Sequence, residues 1–113
     1  MLRPFLIATA LSVVVLVSGT AAASASSCSA PKYPGSGYFT SLKVTKVSCS
    51  TGKKVTLAHY KCRVKHGKTG RCSSKVLGYS CSEKRRSIET EIDATVTCKS
   101  GSKKVVYSYQ QDT

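Results

Sequence analysis

The chain has 113 residues, of which 18 are Lys or Arg and 5 are Asp or Glu, so its formal net charge at pH 7 is +13. This length accommodates one small domain and excludes multidomain enzymes, repeat arrays and membrane channels. A domain of this size has no room for a cofactor cavity beside its own core. We therefore expect no cofactor.

The N-terminal residues have the layout of a secretory signal peptide. Arg3 supplies a positive charge, an apolar run follows over Phe5–Val17, and small residues occupy positions 18–27. The apolar run is too short to span a bilayer, and Ala25 ends a small-x-small cleavage pattern. We predict a signal peptide over residues 1–25 and a secreted, extracellular protein.

Three alternatives to this prediction stay open. Cleavage after one of the alanines at positions 21–23 is one, an uncleaved membrane anchor is the second, and lipid attachment to Cys28 is the third. Lipidation is disfavoured because no large aliphatic residue stands three positions before Cys28, and because it would leave an odd number of cysteines. No later segment is apolar enough to cross a membrane.

The six cysteines predict a disulfide framework, because an even number in a short exported chain is typical of one. No two cysteines are as close as the ligand pairs of zinc sites, so we predict three disulfides and no metal. Six cysteines allow fifteen pairings. The expected positions of the cysteines favour Cys62–Cys72, Cys49–Cys81 and Cys28–Cys98.

The first half of the mature chain predicts a strand and then a helix. Residues 26–37 are rich in Ser, Pro and Gly, which indicates an irregular leader before a single domain over residues 38–113. A two-residue period over Tyr38–Val47 predicts a strand. Apolar residues at three- and four-residue steps predict a helix over Thr51–Arg63, capped by Ser50.

The second half predicts a three-stranded meander, because apolar residues alternate with polar ones in three runs. The fold class is therefore α+β, with one helix packed on a small antiparallel-rich sheet and held by disulfides. The residues expected on the inner faces are Leu77, Tyr79 and Cys81, then Ile92, Ala94, Val96 and Cys98, then Val105, Tyr107 and Tyr109.

Five short runs carry a resemblance. They are Val47–Val55, Tyr60–Arg63, Gly78–Cys81, Ala94–Cys98 and Gly101–Tyr109. Together they resemble uncharacterised small secreted cysteine-containing domains of high-GC Gram-positive bacteria. The resemblance implies a bacterial exported module, and it implies no activity and no functional residue.

No motif in the chain points to catalysis. His59 and His66 could serve as the acid and base of a small ribonuclease, but both precede every acidic residue, unlike the order in bacterial ribonucleases. Two of Glu83, Glu89 and Glu91 could serve glycoside hydrolysis, but the mixed charges around them are better explained by an exposed strand end and turn. We expect that the protein is not an enzyme.

The positive charge is concentrated in one part of the chain. Residues 26–82 contain eleven basic residues and no acidic one, whereas residues 83–113 contain six basic and five acidic residues. A continuous basic segment runs through the predicted helix and the loop after it. Its residues are Lys53, Lys54, Lys61, Arg63, Lys65, Lys68, Arg71 and Lys75.

This segment predicts a module that binds an anionic polymer of the cell envelope or matrix. No aromatic residues alternate with the cations of the loop, so sequence-specific binding of nucleic acid is not expected. Three other interpretations stay open. They are a basic face that only keeps the protein soluble, a protease inhibitor or partner of another secreted protein that uses the loop Lys65–Arg71, and a ribonuclease-like enzyme.

Overall fold

A computed structural model gives the structure of Ser12 and of residues 24–113. The predicted signal peptide, residues 1–25, lies outside these described residues apart from Ser12, Ser24 and Ala25. In the described part of the chain, no helix is both long enough and apolar enough to cross a membrane.

The described residues contain five strands and one helix, which are joined by loops and turns. The strands form one antiparallel sheet in the order β1-β2-β5-β4-β3, and the helix packs on one face of it. The predicted α+β class with its three-stranded meander is therefore confirmed. The elements are β1 (Ser26–Cys28), β2 (Gly37–Thr45), α1 (Cys49–Val64), β3 (Ser80–Ile88), β4 (Glu91–Ser100) and β5 (Lys103–Asp112).

The predicted irregular leader contains two ordered features. Its first residues form β1, which pairs with Leu42–Val44 of β2 at the edge of the sheet. Its Tyr33 is buried and packs edge-to-face against Phe39, with ring centroids 4.8 Å apart. A three-residue strand is too short to display a period, which is why the sequence does not reveal it.

The helix begins earlier than predicted, because Ser48 and not Ser50 is its N-cap. The Ser48 hydroxyl accepts a hydrogen bond of 3.1 Å from the backbone N–H of Thr51. Further along, Gly52 allows the first turns to approach β2 closely. A Cβ atom at Gly52 would stand only 2.5 Å from Cγ1 of Val44.

The inner face of the sheet is the side that the helix covers. The residues predicted to face inward on β4 and β5 are all buried there. Leu77 is the exception to the predicted inner faces: it lies in a turn before β3, is 63% exposed and has a φ of 49°. The prediction for Leu77 is wrong because the strand begins only at Ser80.

The predicted disulfide Cys62–Cys72 is confirmed. The predicted pairings Cys49–Cys81 and Cys28–Cys98 are wrong, because the bonds are Cys28–Cys49 and Cys81–Cys98. Cys81 and Cys98 are direct partners in the β3–β4 ladder, with Cα atoms 4.0 Å apart. The strand β1 brings Cys28 to the start of the helix, where the Cα atoms of Cys28 and Cys49 are 5.6 Å apart.

Candidate functional site

The segment between the helix and β3 carries four of the predicted cations. We call residues 65–75 the basic loop. The cations Lys65, Lys68, Arg71 and Lys75 are all exposed. The disulfide Cys62–Cys72 closes this segment against the last turn of the helix.

The backbone of the basic loop is held by two side chains of the sheet. Arg85 donates to the carbonyl oxygens of Thr69 and Gly70, over 2.7 and 2.9 Å. Gln111 donates from Nε2 to the carbonyl oxygen of Lys68 over 2.6 Å. The carbonyl groups of three successive residues are thus held by side chains of the sheet, while the lysine side chains of the loop remain in solvent. The exposed Arg71 also lies near the sheet, with its Nη1 3.5 Å from Oε2 of Glu83.

Arg85 is itself held by a carboxylate on the same strand. Its Nη2 lies 2.6 Å from Oε2 of Glu83, and both side chains are only 7% exposed. The Tyr109 hydroxyl donates to the other carboxylate oxygen over 2.7 Å. Burial and this hydrogen bond raise the pKa of Tyr109 to about 12. The expectation that Glu83 belongs to an exposed strand end is therefore wrong, because Glu83 and Arg85 lie on the inner face of β3.

Arg63 is not on the basic surface where the sequence places it. Its side chain is fully buried, and its guanidinium carbon lies 4.0 Å from the ring centre of Tyr109. Its Nη1 donates to Gln111 over 2.8 Å, and its Nη2 donates to the Tyr33 hydroxyl over 3.0 Å. A buried arginine must have such partners because its charge is costly to desolvate. Arg63 therefore joins the helix, the leader and β5, and it is not available to a ligand.

The two histidines do not share a site. His59 is buried on the inner side of the helix, where its Nδ1 is hydrogen-bonded to the Tyr107 hydroxyl. Burial lowers the pKa of His59 to about 4, and the carboxylate of Glu83 partly opposes this shift. His66 is exposed in the basic loop. The acid and the base of a ribonuclease would both have to face one phosphate. Here His59 is buried between the helix and the sheet, whereas His66 is at the surface.

A cleft of about 330 Å³ lies between the last turns of the helix and the basic loop. We call it the lysine cleft, because Lys61, Lys65 and Lys75 line it and no carboxylate does among the described residues. The other predicted cations lie elsewhere: Lys54, Lys68 and Arg71 are exposed outside the cleft, and Lys53 is half-buried. The remaining lining residues are Ala58, Cys62, His66, Ser74 and Val76.

The side chains that hold the basic loop were not predicted from the sequence. The alternation of Cys81, Glu83 and Arg85 along one strand is the signal that could have placed the last two on the inner face. Gln111 continues the alternation of Val105, Tyr107 and Tyr109 along β5, so the same signal could have placed it on the inner face. Tyr33 carries no comparable signal. Within the described residues, no group of three or more side chains is arranged to hold a metal ion.

Comparison of the chain with protein-family models, with curated proteins and with solved structures finds no match.

Proposed function

We propose that the protein is a secreted module that binds an anionic polymer of the cell envelope or matrix, and that the lysine cleft is its binding site. The observation that carries this proposal is the meeting of three lysines around one cleft that no carboxylate of residues 24–113 lines. An anionic group in the cleft faces positive charge on both walls.

The fixed backbone of the basic loop supports the proposal. A flexible basic loop would lose conformational entropy when it bound a polymer, and that loss would offset part of the electrostatic gain. Here Cys62–Cys72 and the hydrogen bonds from Arg85 and Gln111 hold the backbone before any ligand arrives. The exposed Lys68 and Arg71 extend the positive field beyond the cleft.

Secretion is part of the proposal. Three disulfides are typical of proteins that fold in an oxidising compartment. The predicted signal peptide over residues 1–25 agrees with this environment, and so does the resemblance to exported bacterial domains.

A protease inhibitor is a second candidate, because inhibitors of this kind present a rigid, exposed loop. One contact argues against Lys68 as the residue recognised by a trypsin-like enzyme. Its carbonyl oxygen, which a serine protease would place in the oxyanion hole, already accepts a hydrogen bond from Gln111. We therefore rank polymer binding first.

The test is binding of the oxidised mature protein to long-chain polyphosphate, polyglutamate, heparin and teichoic acid over a series of salt concentrations. A lysine beside an anionic membrane surface contributes about 1 kcal/mol, and we expect a similar contribution beside a polyanion. The variant K61Q/K65Q/K75Q should therefore bind the preferred polymer roughly 100-fold more weakly. Its slope of log affinity against log salt should be smaller by about 2.

The matched control is K32Q/K84Q/R86Q, which removes the same number of charges away from the lysine cleft. It should keep most of the affinity. Equal losses in the two variants would show that only net charge matters, and they would contradict the cleft assignment. If the wild type binds no polymer even at low salt but inhibits a trypsin-like protease, the second candidate replaces the first.

A further inference from the structure

The face of the sheet opposite the helix carries a second group of lysines. Lys99 of β4 and Lys104 of β5 are direct partners across the ladder. Lys43 of β2 pairs with Val106, so it lies diagonally next to Lys104 on the same face. All three side chains point away from the helix, because alternate residues on each strand face inward. We call Lys43, Lys99 and Lys104 the outer lysine patch.

The charges of the outer lysine patch reduce the stability of the folded sheet when no ligand is bound. Like charges that are directly opposite in an antiparallel pair destabilise a sheet. In the described sheet, the register partners that flank Lys99 and Lys104 are Ser80 and Thr45, which carry no charge to offset the repulsion. The carboxylate of Asp93 lies six residues away along β4. Within the described sheet, no carboxylate-bearing residue is a register partner of either lysine, so an anion bound from solution would relieve the repulsion.

The chemistry of the patch suits a phosphate or sulfate group. Lys43 and Lys99 are exposed, and Lys104 is partly exposed, so their ammonium groups are accessible. A group with several anionic oxygens can accept hydrogen bonds from two ammonium ions at once, and the hydroxyls of Thr45 and Ser80 are further donors in the same row.

We propose that the outer lysine patch is a second anion-binding site, and that the protein therefore bridges two segments of an anionic polymer. The lysine cleft lies on the helix side of the sheet, and the outer lysine patch lies on the opposite side. A polymer segment that lies along one face of the protein therefore reaches only one of the two sites. This inference rests on the proposed function for the nature of the polymer. The existence of the patch as an anion site does not depend on the lysine cleft.

The stoichiometry of binding tests the second site. Titration of the oxidised mature protein with tripolyphosphate at low salt should give two equivalents per chain. The variant K43Q/K99Q/K104Q should bind one equivalent, in the lysine cleft. The variant K61Q/K65Q/K75Q should also bind one, in the outer lysine patch.

Bridging is tested with long-chain polyphosphate. Mixtures with the wild type should scatter light strongly near charge balance, and mixtures with K43Q/K99Q/K104Q should not. The control K32Q/K84Q/R86Q has the same net charge and should still scatter. Removing the repulsion between Lys99 and Lys104 should also leave the thermal midpoint of the outer variant equal to or above that of the wild type, which shows that the loss does not come from misfolding.

The outcomes separate the two proposals. One equivalent in the wild type that persists in K43Q/K99Q/K104Q overturns the second site and leaves the proposed function intact. One equivalent in the wild type that persists in K61Q/K65Q/K75Q overturns the lysine cleft and leaves the patch. Absence of any tripolyphosphate binding overturns the patch, while retained binding of a long polymer would still support the proposed function.

Discussion

The two halves of the single helix are packed against the sheet by different chemistry. The N-terminal half is apolar and close: Gly52 lies against Val44, and Val55 is fully buried. The C-terminal half buries His59 and Arg63. Nδ1 of His59 and both Nη atoms of Arg63 are hydrogen-bonded to tyrosine hydroxyls and to an amide, whereas Nε of Arg63 has no hydrogen-bond partner among the described residues. The same helix therefore meets the same sheet through a hydrophobic contact at one end and through a polar network at the other.

The C-terminal, polar half of the helix is the half that supports the candidate site. Apolar packing against β2 positions the N-terminal half, and the disulfide Cys28–Cys49 joins its first residue to β1. The polar groups of the C-terminal half satisfy one another only when the helix, Tyr33 and β5 are all in place. Gln111 belongs to this network and also holds the carbonyl group of Lys68, so the polar half connects the core to the basic loop.

Removal of the buried guanidinium of Arg63 should reduce the stability of the protein more than any change in the apolar half of the helix. Arg63→Met keeps much of the side-chain volume but removes the donor to the Tyr33 hydroxyl and one of the two donors to Oε1 of Gln111. The Gln111 oxygen still accepts a hydrogen bond of 2.6 Å from the Tyr33 hydroxyl. We expect the free energy of unfolding to fall by about 2–4 kcal/mol, measured by chemical denaturation of the oxidised protein. Lys61→Met, an exposed change on the same helix, should cost less than about 0.5 kcal/mol. Equal effects in the two variants would show that the polar network does not stabilise the fold.

The buried histidine should make stability depend on pH. The pKa of His59 is about 4 in the folded protein, against an ordinary value of 6.5, because burial disfavours the charged ring. Between these values the unfolded chain binds a proton that the folded protein does not, so the free energy of unfolding falls as the pH falls from 6.5 to 4. The shift corresponds to about 3 kcal/mol over this range.

Thermal unfolding over this pH range provides the measurement. His59→Gln should remove most of the pH dependence, whereas His66→Gln, at an exposed position, should preserve it. A pH dependence that survives His59→Gln would mean that other groups cause it.

A substitution in the apolar half of the helix should cause the smallest loss of stability. Gly52→Ala adds a methyl group that meets Cγ1 of Val44 at 2.5 Å, and such overpacking costs about 1–3 kcal/mol. Alanine also favours a helix over glycine by about 1 kcal/mol, so the net loss should be about 1 kcal/mol. Ser50→Ala places the same side chain at an exposed position of the helix and should not reduce stability. If both changes stabilise the protein equally, the helix does not depend on close contact at Gly52.

Much of the fold could be predicted from the sequence because hydrophobic alternation records burial directly. The inner residues of β4 and β5 alternate without a break, and Gly101 marks the turn between these strands with a φ of 59°. The turn between β3 and β4 has no such mark. It is formed by Glu89 and Thr90, which are not typical turn residues, so the register that places Cys81 opposite Cys98 could not be read from the sequence.

The candidate site could be predicted only in part, because composition does not tell which cations are buried. Lys61, Lys65 and Lys75 do meet around one cleft, but Arg63 belongs to the same charge run and lies in the core. Its position on the helix separates it from the lysines: Arg63 follows His59 by four residues on the buried side. Polar residues on that stripe have no hydrophobic signal, and their burial depends on partners such as Tyr33 and Gln111 that are far away in the chain.

The three disulfides follow one another along the chain without overlapping. The first joins Cys28 to Cys49, the second Cys62 to Cys72, and the third Cys81 to Cys98, so the six cysteines pair in their order along the chain: first with second, third with fourth and fifth with sixth. No loop closed by one disulfide therefore contains a cysteine of another. Pairing in order of appearance along the chain would give the native set without exchange between disulfides.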